Sequence, residues 1–438
     1  MVPVTSQQRA AKRLVWWVHP TWVLLAITLP VLLLTILDGP AGLLELKNYV
    51  DNYTSYNCVV AVASLLTFTV GTCLCAGFGS SSNSVVPTVD PLGATRVLRW
   101  LGAISLAAYL TMMGPWLLHP DVVWQVLQGF GADEAKQSMS RMPGVTSFTN
   151  IAPLFCAILS AARLNPRFRM SPDLVGIFVG LAVLTFARAI IGSERLALIE
   201  FVMPLVLAQA AFHSRPSLIR TAFPIFGLLA VMAYFAAGEY LRSWQYYQFS
   251  MGGQFWSFTT ERFVGYYSTA LNNGMGMFQQ YSPLGVPRFT LAALAKLPIG
   301  LSWGSQLEMS TEDIWLLYLY EYGSWEFNNL SGLFVPLVDF GLAIGLTMMC
   351  MLGIVVGALY RSYAQQRLAG LILYPTCYIG TLEIVRLFYF GESRVVPVYL
   401  VAGIVGWALK SRKPQVRDFL DRRARGVDQE IGSWEGAA

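Results

Sequence analysis

Two apolar segments flank a short charged turn in LVGIFVGLAVLTFA–RAIIGSER–LALIEFVMPLVLAQAAF, residues 174–212. Each segment, with the residues that border it, is long enough for a helix that crosses the hydrocarbon layer of a bilayer. The turn carries two arginines and a glutamate, which are costly in lipid and therefore indicate the end of a span. This stretch predicts two membrane spans, at 172–190 and 195–212, joined by a turn at the membrane surface.

The composition of the whole chain also indicates a membrane protein. Its 438 residues are 55% hydrophobic and only 13% charged, whereas a soluble domain is about 25% charged. The mean hydropathy is +0.52. A soluble core cannot bury this much apolar surface, so the bilayer is the expected solvent. The 6 cysteines have neither zinc-type nor CxxC spacing and are predicted to be small packing residues.

Ten apolar runs of roughly membrane-spanning length predict an all-α polytopic membrane protein. The predicted spans are 14–37, 57–78, 97–118, 148–163, 172–190, 195–212, 218–238, 332–357, 368–388 and 394–410. Together they form a single integral membrane domain, residues 1–410, which a basic tail follows at 411–438. The first run is long and is typical of a signal anchor, so no cleavable signal peptide is expected.

The distribution of lysine and arginine orients these spans. Most of the 30 basic residues fall on one side if the N-terminus is cytoplasmic, although the segments on the other side are longer. Both termini are therefore predicted to be cytoplasmic, and the large loop 239–331, between spans seven and eight, is predicted to be periplasmic. The basic tail fits a topology signal that also contacts anionic lipid, and no nucleic-acid partner is expected.

The large outer loop is dense in aromatic and amide side chains, as in WQYYQF and IWLLYLYEYGSWEFNN. Loops of this length in compact proteins are usually functional or disordered, and the composition argues against disorder. Aromatic faces and amides suit sugar rings, so Trp325 and Asn328 are candidate glycan-binding residues. The alternative is a belt of aromatic residues at the membrane interface. The Asn, Gln and Glu residues interleaved with the aromatic residues favour the first interpretation, a loop that binds a glycan.

Six arginines are predicted near the outer ends of spans, where the positive-inside rule disfavours them. They are Arg188, Arg195, Arg242, Arg262, Arg386 and Arg394. Snorkelling towards the membrane surface could account for each one separately. As a set they favour a phosphate site, because a guanidinium group binds phosphate oxygens in pairs and a lipid pyrophosphate lies at this depth. We expect at least three of the six to contact such a group.

The turn RAIIGSER has a counterpart in RLFYFGESR, residues 386–394. Both turns join an outgoing helix to an incoming helix. Each contains a glutamate close to an arginine, Glu194 with Arg195 and Glu392 with Arg394, and each has a second arginine earlier in the turn. The repetition suggests a shared role for the two turns.

The sequence contains no HExxH, P-loop or GxSxG pattern, so neither a metal nor a cofactor is expected. A base for external chemistry would therefore be a carboxylate. The candidate catalytic residues are Arg188, Arg195, Glu194, Glu239 and Glu392, with Glu321 and Glu326 as further carboxylates. For any single carboxylate a salt bridge or a helix cap is the competing explanation. Asp339 is expected to be structural, because it follows Pro336 where a helix begins.

Two stretches resemble a known family. They are MPGVTSFT, residues 142–149, and NNLSGLFVPLVDFGLAIG, residues 328–345. Both resemble segments of bacterial oligosaccharide repeat-unit polymerases, the Wzy-type polymerases of O-antigen and exopolysaccharide. The layout is also similar to that of the family, with ten to fourteen spans, a large periplasmic loop in the second half and arginines at the periplasmic face.

The resemblance implies a metal-independent membrane glycosyltransferase in a bacterial inner membrane. It would transfer the growing glycan from undecaprenyl pyrophosphate to the terminal sugar of another lipid-linked repeat. Arg242, Arg262, Arg386 and Arg394 would bind the pyrophosphate and the glycan together with Trp325 and Asn328. The implied partners are the lipid-linked oligosaccharide, the bilayer, a co-polymerase that regulates chain length and a flippase.

Two other functions remain open at the level of sequence. One is another lipid-linked sugar transferase, such as an O-antigen ligase, although the large loop lacks the histidine that a ligase would use. The other is a transporter or flippase of lipid-linked glycans. A transporter should place ionisable residues deep in several helices, whereas the charges here cluster at the predicted outer face.

Overall fold

A computed structural model describes residues 14–39, 50–77, 89–128, 146–165, 167–192, 194–212, 218–249, 252–295, 310–323 and 326–409. Within these ranges the chain is all-α and contains no β-strand. Several predicted features lie outside the described residues: the basic tail at 411–438, Trp325, the first part of the MPGVTSFT stretch and the side chain of Arg242.

The longer helices, in chain order, are α1 (Pro20–Asp38), α2 (Ser55–Ala76), α3 (Pro91–Leu118), α4 (Pro120–Leu127), α5 (Ala152–Ala162), α6 (Pro172–Ile191), α7 (Arg195–Phe212), α8 (Phe223–Glu239), α9 (Phe255–Gln280), α10 (Thr311–Tyr322), α11 (Val335–Ala364), α12 (Leu368–Glu383) and α13 (Val396–Ala408). Shorter helical turns lie at Trp16–Val18, Thr146–Ile151, Leu218–Thr221, Tyr240–Trp244, Gln245–Tyr247, Ala292–Ala295 and Tyr389–Gly391.

Five of the described helices are long and apolar enough to cross a membrane: α1, α2, α3 as far as Trp116, α6 and α11. Shorter apolar helices lie at Ser147–Ala162, Phe223–Glu239 and Val396–Gly406. The chain is therefore a helical membrane protein, as its composition predicts. Each of the ten predicted spans overlaps a helix, while the count of ten crossings and the orientation of the termini stay predictions.

Capping side chains and prolines explain where several helices begin. The Thr54 hydroxyl accepts a hydrogen bond from the backbone N–H of Asn57 at the start of α2, and Asp90 caps α3 by accepting from the N–H groups of Leu92 and Gly93. Proline occupies the first position of α3 and of α6, where its missing N–H costs nothing. For this reason α3 begins at Pro91, earlier than the apolar run alone indicates.

Helices α2 and α11 pack along each other at very short distance because glycines face the contact. A Cβ atom at Gly71 would lie 2.1 Å from the carbonyl oxygen of Cys350, and one at Gly353 would lie 2.2 Å from that of Phe68. Small residues of this kind let membrane helices approach closely and gain packing contacts. This pair contributes to one of the two main hydrophobic clusters, together with α1 and α12.

The second main cluster lies around α5, which packs against α3, α7 and α12. Nearly every residue of α5 is buried, including Phe155, Cys156 and Ile158. This short helix is therefore surrounded by protein. Because α12 contacts both clusters, the two halves of the bundle share one continuous interior.

The segment predicted as a large loop contains two substantial helices that pack into the protein. The second half of α9 is buried, and Asn272 and Asn273 are each 0% exposed. The N–H of Ser331, just before α11, donates to the carbonyl oxygen of Ala270 in α9. The described parts of the segment 239–331 are therefore folded and belong to the helical bundle.

Candidate functional site

A cavity of about 360 Å³ lies at the end of the bundle where α7 and α13 begin and where α8 and α12 end. Three arginines line it: Arg195 at the start of α7, Arg386 just after α12 and Arg394 just before α13. They are far apart in the sequence, but each follows or precedes a helix end on the same side of the bundle. The fold therefore brings together three of the six arginines that the sequence singles out.

The rest of the cavity wall consists of aromatic, amide and acidic side chains. The aromatic residues come from the last part of α8 and from α9, and they are Tyr234, Phe235, Phe263, Tyr266 and Tyr267. The amides of Asn328 and Asn329 and the carboxylates of Glu194, Glu326 and Glu383 complete the polar lining. Cations, ring faces and amides thus face one open cavity, a combination that suits an anionic group attached to a sugar.

Arg195 is held in place from two sides. Its guanidinium carbon lies 4.2 Å from the centre of the Phe235 ring, a distance at which a cation is attracted to the face of the ring. Its Nη2 donates a hydrogen bond to Oε1 of Glu239. A Cβ atom at Gly238 would lie 2.7 Å from Nε of Arg195, so the glycine leaves the space in which this arginine lies.

Glu239 and Arg262 form a buried ion pair behind the cavity wall. Nε of Arg262 lies 2.7 Å from Oε2 of Glu239, and Nη1 of Arg262 lies 2.7 Å from Oε1 of Glu326. Burial alone would lower the pKa of Arg262, but the carboxylates of Glu239 and Glu326 raise it overall. The guanidinium therefore stays charged. Arg262 does not line the cavity but ties α8 and the segment before α11 to α9.

Arg386 and Arg394 differ in their partners. Nε of Arg386 donates to Oε2 of Glu383 at 2.6 Å, an ion pair three residues apart at the end of α12. Arg394 makes no direct ion pair in the described part of the chain, although its charge interacts with the buried carboxylate of Glu200. The turn that carries both arginines is held on α7, because the Tyr389 hydroxyl donates to the buried carboxylate of Glu200 at 2.8 Å. Arg394 is thus the cation best placed to receive an external anion.

Arg188 lies outside the cavity lining and supports the turn that bears Arg195. Its Nε donates to Oε2 of Glu194 at 2.9 Å, and its Nη1 donates to the Thr149 hydroxyl at 2.8 Å. The side chain is buried and connects α6 with the helical turn before α5. The counterpart turn is arranged differently, because Arg386 pairs with Glu383 and not with Glu392. The sequence repetition is therefore not a repetition of ion pairs.

The remaining predicted site residues take different places. Asn328 lines the cavity, and Glu392 lines a second, neighbouring cavity. Arg242 lies in the helical turn Tyr240–Trp244. Asp339 is fully buried, and its carboxylate accepts hydrogen bonds from the backbone N–H groups of Phe289 and Thr290 at 3.1 and 2.6 Å. That role fits the structural role expected for it.

The amides of Asn272 and Asn273, in the segment predicted as a glycan-facing loop, are buried and bind backbone groups of the protein. Nδ2 of Asn273 donates to the carbonyl oxygens of Phe327 and Asn329, each at 3.0 Å, and Nδ2 of Asn272 donates to that of Val50. These buried amides satisfy backbone groups that would otherwise be unpaired. Their effect on the cavity is indirect, since Asn273 fixes the segment that presents Asn328 and Asn329.

Some cavity residues are absent from the sequence-based candidates. Glu383 could have been found, because it precedes Arg386 by three residues at a helix end, the spacing of a helical ion pair. Tyr266, Tyr267 and Asn329 were not distinguishable from neighbouring aromatic and amide residues. Glu200, in an apolar helix, carries no local signal of its contact with Tyr389.

Among the described residues, no group of three or more His, Cys, Asp or Glu side chains could hold a metal ion. No protein-family model, curated protein or solved structure matches the chain. A functional assignment therefore depends on the geometry of the cavity and on the sequence.

Proposed function

We propose that this protein polymerises lipid-linked oligosaccharide repeat units at the outer face of a bacterial inner membrane. The observation that carries the proposal is the convergence of Arg195, Arg386 and Arg394 on one cavity at the end of a membrane bundle, with Arg394 unpaired by any described carboxylate. A lipid-linked pyrophosphate is an anion that reaches a protein at this depth of the membrane.

The two paired arginines are oriented before a ligand arrives. Glu239 and Phe235 hold Arg195, and Glu383 holds Arg386. A guanidinium group in a fixed direction can receive two phosphate oxygens without first losing its conformational freedom. The cavity of about 360 Å³ falls within the usual range for small-ligand sites, roughly 300–1,000 Å³. It has room for a pyrophosphate and part of the sugar attached to it.

The aromatic wall is the place for that first sugar. Tyr266 and Tyr267 offer ring faces and hydroxyl groups, while Asn328 and Asn329 offer amide donors and acceptors. Sugar rings have apolar C–H faces and hydroxyl edges, so both kinds of side chain contribute. Inorganic phosphate has no apolar face, so it would gain nothing from contact with the aromatic wall.

The reaction is the transfer of a glycan from one lipid to another repeat. A hydroxyl oxygen of the acceptor bonds to the anomeric carbon of the donor, and the bond from that carbon to the pyrophosphate oxygen breaks. The electron pair leaves with the lipid pyrophosphate, and a carboxylate accepts the hydroxyl proton. The arginines stabilise the charge that develops on the leaving group. Glu239 is a poor base, because guanidinium groups contact both of its oxygens.

The proposal includes ten membrane spans and cytoplasmic termini, which would place the cavity on the periplasmic side. Lipid-linked repeats would reach it after a flippase has moved them across the membrane. A co-polymerase that sets chain length would act on the same product. This arrangement agrees with the excess of basic residues on the predicted cytoplasmic side.

Deletion of the gene in its host, followed by analysis of the glycolipids, tests this function. We expect single repeats to accumulate on undecaprenyl pyrophosphate at the outer leaflet. The wild-type gene should restore the polymer and Arg394→Ala should not. Arg167→Ala, which changes an exposed arginine outside the cavity, is the matched control. Repeats trapped in the inner leaflet would instead indicate a flippase, and full-length polymer left on the carrier would indicate a ligase.

A further inference from the structure

A second cavity of about 440 Å³ adjoins the first. The two cavities share Asn328, Asn329 and Leu387 in their walls. The short segment before α11 therefore separates them and contributes to both. A ligand in one cavity lies next to a ligand in the other.

The second cavity differs from the first in charge. Its described lining contains two carboxylates, Glu312 and Glu392, and no arginine, lysine or histidine. The rings of Trp315, Phe289 and Phe388 and the hydroxyl group of Thr311 also line the cavity, with aliphatic side chains between them. An anion would meet negative charge here, whereas hydroxyl groups would find both acceptors and ring faces.

The ring of Trp315 is fixed within this wall. It stacks on the fully buried Tyr318, with 5.5 Å between ring centres and 11° between ring planes. The helix that carries it has a capping box, in which the Ser310 hydroxyl accepts from the N–H of Asp313 and the Asp313 carboxylate accepts from the N–H of Ser310. Trp315 is therefore presented in one orientation, as a stacking surface requires.

Glu392 and Phe289 are also held in position. Asp339 binds the backbone N–H groups of Phe289 and Thr290. The turn that carries Glu392 packs directly on this segment, since a Cβ atom at Gly391 would lie 1.8 Å from the carbonyl oxygen of Thr290. The buried Asp339 carboxylate thus fixes the part of the cavity that faces Glu392.

We propose that the second cavity binds the terminal sugar of the acceptor repeat and accepts only a sugar that carries no negative charge. The proposal rests on the proposed function, in which the first cavity holds the donor pyrophosphate. Trp315 stacks on the sugar, and Asn328 and Asn329 bind hydroxyl groups at the border between the cavities. The two carboxylates repel uronic acids and phosphorylated sugars.

In this arrangement Glu392 takes the proton of the attacking hydroxyl. It stands two residues before Arg394 on the same turn, but it lines the acceptor cavity while Arg394 lines the donor cavity. The hydroxyl oxygen bonds to the anomeric carbon, its proton passes to Glu392, and the pyrophosphate oxygen leaves towards Arg394. One short turn thus supplies the base and the charge that stabilises the leaving group.

Binding of glycan fragments to the full-length protein in lipid nanodiscs tests the proposal. The probe is a set of fragments from mild acid hydrolysis of the surface polysaccharide of the host, tagged at the reducing end with an uncharged fluorophore. Fluorescence anisotropy measures the dissociation constant. We expect Trp315→Ala to weaken binding about tenfold or more, as truncation of a central aromatic contact does. Trp256→Ala, which changes an exposed tryptophan outside both cavities, should leave it unchanged.

The charge requirement has its own measurement. Oxidation of the primary hydroxyl groups of the same fragments to carboxylates should weaken binding to the wild type about tenfold or more. Replacing both carboxylates, Glu312→Gln with Glu392→Gln, should restore much of that binding. Equal affinity for oxidised and unoxidised fragments would overturn the proposal, and so would a native repeat that ends in an acidic sugar.

Binding of undecaprenyl pyrophosphate to the same samples separates this proposal from the proposed function and reports on folding. Trp315→Ala should bind the lipid as the wild type does, which shows that the variant is folded. If Trp315→Ala also leaves glycan binding unchanged, the second cavity is not the acceptor site, while the proposed function is unaffected. If Arg394→Ala leaves lipid binding unchanged, the proposed function itself is wrong.

Discussion

The carboxylate of Glu239, which is fully buried, contacts two guanidinium groups at once, those of Arg195 and Arg262. Arg195 faces the cavity and Arg262 lies behind its wall, and Arg262 in turn contacts Glu326, which lines the cavity again. The four charges alternate in sign and connect α7, α8, α9 and the segment before α11. The position of a proposed phosphate-binding arginine thus depends on a buried glutamate.

Replacing Glu239 with glutamine should destabilise the protein strongly. It leaves the buried guanidinium group of Arg262 and the partly exposed one of Arg195 without their shared carboxylate. Loss of one partner from a buried pair costs about 3–5 kcal/mol. The measurement is thermal unfolding of the purified protein in detergent. Glu261→Gln is the matched control, because Glu261 is exposed beside Arg262 and surface carboxylates contribute little. Equal unfolding temperatures for both variants would show that the contacts of Glu239 with Arg195 and Arg262 do not stabilise the fold.

Arg394→Ala should abolish most binding of undecaprenyl pyrophosphate, whereas Arg394→Lys should retain a part of it. Lysine keeps the positive charge but lacks the planar fork that binds two phosphate oxygens together. Titration of the lipid into the purified protein in nanodiscs, followed by native mass spectrometry, gives the affinities. If alanine and lysine behaved alike, charge would not be the property that the cavity uses.

Arg188→Ala should lower the stability of the protein and weaken the binding of pyrophosphate indirectly. The buried Arg188 does not line the cavity, but its partner Glu194 does. Without Arg188 the Glu194 carboxylate loses its ion pair beside Arg195. We expect a lower unfolding temperature and, in the folded fraction, a smaller loss of lipid affinity than Arg394→Ala causes. A loss of affinity as large as that of Arg394→Ala in a stable variant would contradict this supporting role.

Gly238→Ala should reduce polymer formation by displacing Arg195. The added methyl group would lie 2.7 Å from Nε of that side chain, and such a displacement misorients a group that must meet phosphate oxygens. Gly227→Ala is the control in the same helix, since its added carbon would meet only a ring atom of Phe223 at 3.8 Å. Polymer length on a gel, normalised to the amount of protein in the membrane, compares the two variants.

Asn273→Ala should destabilise the segment that carries Asn328 and Asn329. The change removes the donor to the carbonyl oxygens of Phe327 and Asn329, and an unsatisfied buried polar group costs about 1–3 kcal/mol. Hydrogen exchange by mass spectrometry should show faster exchange at 326–331. Gln254→Ala, at an exposed position whose side chain makes no capping bond, should leave exchange there unchanged.

Local patterns in the sequence were sufficient for the membrane class, for a helix at each predicted span and for the turn at RAIIGSER, but not for α9 and α10 within the predicted large loop. Hydrophobicity over a span is a sum of local contributions, so the chain order alone predicts which segments prefer lipid. Helix α6 begins at Pro172, as predicted, whereas the caps Thr54 and Asp90 start α2 and α3 before the predicted positions 57 and 97. The concentration of arginines near the predicted outer ends was also visible without a structure.

The partners of those arginines depend on contacts between segments that are distant in the chain. Arg195 and Arg262 meet at Glu239, and Arg386 and Arg394 join Arg195 at one cavity. Such contacts depend on how helices pack, which no local pattern encodes. The same physics separates arginines that look alike in the sequence: Arg188 pairs with Glu194 and Arg262 with the buried Glu239, while Arg394 lines the cavity without an ion pair in the described ranges.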